Sequence, residues 1–219
     1  MQLPKRRQLA TVLVAVCCIP LSLAQTLQYR VVEVGNRVSI TVPAHWRVKD
    51  ASERQNIAAS ADAPIDPSGK ASEPMHVSSL SVVSTPEPPQ AIIRVSFVVE
   101  PGSQAELKQE LAGGKERAVA EIASVWREDS KTLAAAMAKQ GMRYLGNERF
   151  DFQPLGSKTA VVTSYRRTSA RDGSPYLVTQ YHVPMGTDKV LITLSLQESS
   201  ALLVQPILDR VKNSIVIRR

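Results

Sequence analysis

Residues 189–215 read KVLITLSLQESSALLVQPILDRVKNSI, and the change of period inside this stretch decides the fold. Val190, Ile192, Leu194 and Leu196 alternate with Leu191, Thr193, Ser195 and Gln197, the two-residue repeat of a β-strand. Ser199 and Ser200 are good N-cap residues, and Leu203, Ile207, Val211 and Ile215 then recur every four positions, as on one face of a helix. Pro206 must sit early in that helix or bend it. A strand that runs almost directly into an apolar-faced helix obliges the helix to fold back onto the strand's own sheet.

Upstream of this stretch the pattern is a meander. Residues 142–152, 158–168 and 175–183 are strand-like, with turns at Leu155-Gly156-Ser157, at 169–174 around Asp172-Gly173, and at 185–188. Before the meander, residues 115–140 carry Val119, Ile122, Trp126, Leu133 and Met137 on one helical stripe, and Lys139 and Gly141 mark its end. Trp126 shares the period of its aliphatic neighbours and is expected in the core. Ser103 and Glu106 form a capping box that opens a shorter helix at Gln104.

The N-terminal half is β-rich. Residues 27–34 and 37–42 flank Gly35-Asn36 as a hairpin, ended by Pro43-Ala44-His45-Trp46. Residues 76–84 and 91–99 are two further strands, joined by a proline-rich link that cannot pair in a sheet. Residues 49–74, rich in Ala, Ser, Asp and Pro, form an irregular excursion with room for one short strand at 56–60. The order predicts an α+β fold: an antiparallel sheet flanked by helices, an α/β/α sandwich.

Lys5, Arg6 and Arg7, the apolar run from Leu9 to Ile19 and the exit Ser22-Leu23-Ala24 have the pattern of a cleaved signal peptide at 1–24. Its 16 residues from Leu9 to Ala24 fall short of the ~20 needed to span a bilayer. Val14-Ala15-Val16 before Cys17 is a poor match to a lipoprotein signal, so lipid anchoring through Cys17 or Cys18 is the lesser alternative. The expected product is periplasmic, a single α+β domain over residues 25–219 with no transmembrane span. It has no cysteine, because Cys17 and Cys18 are the only two, so thiol catalysis and thiolate metal sites are excluded for it. Losing three basic residues with the leader takes 27 Lys and Arg to 24 against 20 acids, a balance of +4 instead of +7. That mild, unclustered excess gives no nucleic-acid footprint.

Val38-Ser39-Ile40-Thr41-Val42-Pro43-Ala44-His45-Trp46 resembles the opening strand of Mog1/PsbP-like domains. Residues 176–183 and 189–197, with the closing Pro206-Ile207-Leu208-Asp209-Arg210-Val211-Lys212-Asn213-Ser214-Ile215, resemble their final strands and helix. Exported DcrB and LpqN-type proteins are similar in layout. The resemblance implies assembly factors, accessory subunits or binding modules, and no shared active site; fold alone does not fix function.

No catalytic motif is present. His45, His76 and His182 lie on separate segments without metal-ligand spacing, so no metal site and no cofactor are expected. Gly156-Ser157-Lys158-Thr159 lacks the glycine and lysine spacing of a phosphate loop and leads into a strand. Glu128-Asp129 point to different sides of a helix. If Arg167 sits opposite Pro175, then Arg166, Tyr176, Gln180 and His182 share one sheet face, a polar–aromatic surface able to receive an anion or a peptide edge. The expectation is a non-enzymatic periplasmic factor that binds or helps assemble an envelope protein or peptide, with those four residues as its site. The alternatives are an envelope hydrolase assembled from scattered residues around His182 or His45, and a carrier of a small ligand or metal.

Overall fold

The structure, a computed structural model, describes residues 27–54 and 79–218. The expected leader, the short strand at 56–60 and most of the 49–74 excursion lie outside the described residues.

Among the described residues ten strands form two antiparallel sheets. β1 (Tyr29–Val34) and β2 (Val38–Pro43) are the predicted hairpin. The last strand, β10 (Val216–Ile217), pairs with β2 to complete a three-stranded sheet. The large sheet has the order β3-β4-β5-β9-β8-β7-β6. Its members are β3 (Arg47–Val48), β4 (Leu80–Val83), β5 (Ala91–Val98), β6 (Tyr144–Leu155), β7 (Lys158–Thr168), β8 (Pro175–Pro184) and β9 (Lys189–Gln197). β3 and β10 are only two residues long and give no periodic signal. β6 to β9 are the predicted meander, and β9 also pairs with β5, which joins the two halves of the chain.

Among the described residues three longer helices complete the layers, besides a helical stretch at 51–54 within the expected excursion. α1 (Gln104–Ala112) opens with the predicted capping box, in which the Ser103 hydroxyl accepts from the Glu106 N–H at 3.1 Å and the Glu106 carboxylate accepts from the Ser103 N–H at 2.7 Å. α2 (Lys115–Lys139) ends before Gly141 and buries Trp126, Leu133 and Met137 against β6 to β8. The Trp126 ring meets Phe150 edge-on at 5.7 Å, and its Nε1 donates to the Tyr144 hydroxyl at 3.1 Å. Trp126 is the expected core residue.

On the opposite face lies α3 (Ala201–Asn213), with the small sheet beside it. The result is α+β, an antiparallel sheet between helical layers. Of the stripe read in the sequence, Val211 and Ile215 are buried and Ile207 packs partly buried against the same core, and Leu203 alone departs from it. Val204, Leu208 and Val211, followed by Ile215, are buried, whereas Leu203 is 75% exposed. Pro206 lies inside this helix. β9 departs from simple alternation as well: Thr193 and Ser195 are buried along with Ile192 and Leu194, because this strand runs through the middle of the sheet with a layer on each side. Among the described residues no helix is long and apolar enough to cross a membrane.

Candidate functional site: a groove at the start of α3

Strands are spaced about 4.8 Å apart, so seven of them extend roughly 29 Å across, while a single helix is about 10 Å wide. α3 and the small sheet therefore leave one flank of their face open. β9 feeds α3 through a 3₁₀ turn at Glu198–Ser200, and beside this turn lies a groove of about 600 Å³. Leu177 of β8 and Leu196 of β9 form its apolar base, and Ala201, Leu202 and Pro206 form the helical wall. Leu202 is 94% exposed.

The opposite rim is polar and comes from β6 and β7. Gly146 and Asn147 both have left-handed φ, 72° and 60°, and the β6–β7 register shifts on either side of Gly146. Glycine and asparagine are the residues that take this conformation at least cost, and the bulge turns Asn147 and Arg149 toward the groove. Arg166 makes a two-pronged ion pair with Glu198, through Nε to one carboxylate oxygen and through Nη2 to the other at 2.5 Å. Arg166 holds the Glu198 carboxyl below the usual carboxylate range, against a smaller opposing effect of burial. The Arg149 side chain is exposed and makes no hydrogen bond or ion pair with any described residue.

Inward, the groove adjoins a void of about 30 Å³ beneath α3 that shares Leu177, Leu196 and Gln205 with it. Thr179, Tyr181 and Asp209 make this end polar. Burial, with the Asp209 charge adding to it, pushes the Tyr181 hydroxyl up to about 12. The space is large enough for a water molecule.

The four residues expected to share one face do not do so. Thr168 sits opposite Pro175, Arg167 opposite Tyr176 and Arg166 opposite Leu177, one residue from the register assumed in the sequence. A one-residue slip moves a side chain to the other face, so Arg166 lies with α3 and the groove, while Tyr176, Gln180 and His182 lie with α1 and α2. Tyr176 donates its hydroxyl to the Pro89 carbonyl and stacks with Arg167 at 5.6 Å. Gln180 is 2% exposed between Thr163 and Thr193, a core position.

His182 lines a separate cleft of about 250 Å³ with Glu100, Ser103, Glu106 and Lys189. That set looks chemical, but its members are engaged. The Ser103 hydroxyl caps α1 and donates to Glu106 at 3.0 Å, and Lys189 pairs with Glu100. His45 is exposed, and its carbonyl accepts from the Thr85 hydroxyl at 3.0 Å. His76 lies outside the described residues. Among the described residues no group of three His, Cys, Asp or Glu could hold a metal ion.

Of the four residues expected to form a site, Arg166 alone lines this groove. Leu202 adjoins the helical stripe and carries no signal of its own, and Arg149 reaches the rim only through the bulge. The Gly146-Asn147 pair was the one available clue.

No family model matches the chain, and no curated protein does. Solved structures do. The chain is similar to cyanobacterial PsbP from Synechocystis, with 12% identity, a TM-score of 0.49, and coverage of 89% of this chain and 95% of that one. It is similar to LpqN, described as involved in cell envelope biogenesis of Mycobacterium tuberculosis, at 14% identity and a TM-score of 0.40, covering 88% and 92%. The Ran-binding protein Mog1p of Saccharomyces cerevisiae follows at 11% identity and a TM-score of 0.40, covering 88% and 96%. A longer protein from Bacteroides thetaiotaomicron also matches, and the chain spans about half its length, 47%. PsbP, LpqN and Mog1 structures are thus among those this chain is similar to, at identities of 11–14% and TM-scores of 0.40–0.49.

Proposed function

We propose that this is an exported, non-enzymatic binding or accessory protein that holds a polypeptide of the cell envelope in the groove beside α3. The observation that carries the reading is Leu202. A leucine 94% exposed on the wall of a groove floored by Leu177 and Leu196 is an anchor without an occupant. Clustered apolar surface with a polar rim is what protein interfaces are built from. The export half of the reading rests on the basic, apolar and small-residue order of residues 5–24. The His182 cleft gives hydrolysis no comparable support, since its hydroxyl caps a helix.

Site-specific photocrosslinking in cells tests the partner site. A photoreactive residue replacing Leu202 is expected to give a discrete protein adduct, and one replacing Val125, also exposed but on α2, is not. Matching adduct patterns at the two positions would end the reading. Fractionation with intact-mass analysis tests the address: the expected product is periplasmic and begins at Gln25.

A further inference from the structure

The rim of the groove is electrostatically lopsided. Arg166 is neutralised by Glu198, whereas Arg149 has no partner among the described residues and stands free at the mouth. An exposed cation beside an apolar floor favours a ligand that carries a carboxylate next to an apolar group. Pro206 adds a second feature. It has no N–H, so the Leu202 carbonyl, one helical turn earlier on the same wall, lacks its usual α-helical donor. A backbone N–H running along the helix has the chemistry to supply that missing donor.

Two features favour polypeptide over an acyl chain. The groove is partly open to solvent, so a hydrocarbon tail lying in it would leave one side in water. Its inner end is polar, at Thr179, Tyr181 and Asp209, where a tail would meet a carboxylate.

We propose that the groove recognises an extended polypeptide segment in which a large apolar side chain neighbours a carboxylate. The apolar side chain seats between Leu177, Leu196 and Leu202, the carboxylate meets Arg149, and one backbone N–H of the segment donates to the Leu202 carbonyl. This specificity rests on the partner-site reading above.

Fluorescence anisotropy on the full exported protein tests it, with three labelled nonapeptides whose central pair is Leu-Asp, Leu-Lys or Ala-Asp. The Leu-Asp peptide is expected to bind at least about tenfold tighter than either other peptide, an advantage of about 1.4 kcal/mol. The advantage over Leu-Lys should shrink at 0.5 M salt, as expected for a screened surface charge. Arg149→Glu should reverse the Asp-over-Lys preference, and Leu202→Asp should weaken the Leu-Asp peptide to the level of Ala-Asp. Both positions are exposed, and unchanged circular dichroism would confirm folding. Equal affinity for the three peptides overturns the proposal, as does displacement of the Leu-Asp peptide by oleate or phosphatidylglycerol vesicles with no Arg149 dependence. If the peptides fail while the Leu202 crosslink persists, the specificity stated here falls and the partner site stands. If both fail, both fall.

Discussion

Gly156 turns the chain between β6 and β7 with φ at 59°, and a Cβ built on it would come within 2.9 Å of the Ile215 carbonyl oxygen. Left-handed backbone and contact with main chain act together here, so Gly156→Ala is expected to cost about 2 kcal/mol in urea unfolding. A cost within experimental error would mean that the two segments are not in contact. Asp188 is another single-residue lever. Arg37 hydrogen-bonds it at 2.5 and 2.9 Å and holds its carboxyl below the ordinary 3.8. A carboxylate whose pKa is lowered on folding adds stability above the unfolded value, and this is lost as pH falls through the folded value. Arg37→Met should therefore be less stable than the native chain at neutral pH, with the gap closing below pH 3.8. Urea midpoints taken across that range check it; a constant gap would show that the carboxylate is not its source. Asp188 gave no advance sign of this role, because its partner lies 151 positions away.

The helices differ in how far the sequence revealed them. α1 and α2 begin and end where local chemistry says, because a cap or a stop signal acts within one turn. Ser103→Ala should thus cost about 1 kcal/mol, read from the denaturation midpoint. α3 lies where its pattern says, and its stripe fails only at Leu203. A strict spacing of four advances about 40° past a full turn at each step, so positions 203, 207, 211 and 215 drift around the helix. The buried set 204, 208, 211 alternates four and three and stays in line. Leu208→Ala is expected to destabilise by about 2–5 kcal/mol, and Leu203→Ala by no more than about 0.5 kcal/mol. Similar losses for the two would restore the stripe read from sequence. Leu202 stands outside that stripe and has no periodic partner, which is why the helical wall of the groove left no mark in the sequence.

At the scale of the molecule, Trp46 packs in the core shared by the small sheet, the large sheet and α3, whereas Trp126 packs under α2 on the other face. With only two tryptophans in the chain, Trp126→Phe and Trp46→Phe leave one reporter in each layer. If the shared sheet couples the layers, each variant should show its fluorescence transition at the same urea concentration as its circular dichroism transition. Separate transitions within one variant would mean that the layers unfold independently. Sequence alone determined the strands of 6 residues or more, both capped or stop-marked helices and the layered α+β class, because periodicity and capping act between near neighbours. It also supplied the charge balance and the two end motifs. Only the tertiary structure decided the order β3-β4-β5-β9-β8-β7-β6, the addition of β10 to β2 and the true β7–β8 register. It alone brought Arg149, Arg166, Leu177 and Leu202 around one groove. The physical reason is that register and face depend on contacts between distant segments, and a single-residue slip exchanges inside for outside without altering any local pattern.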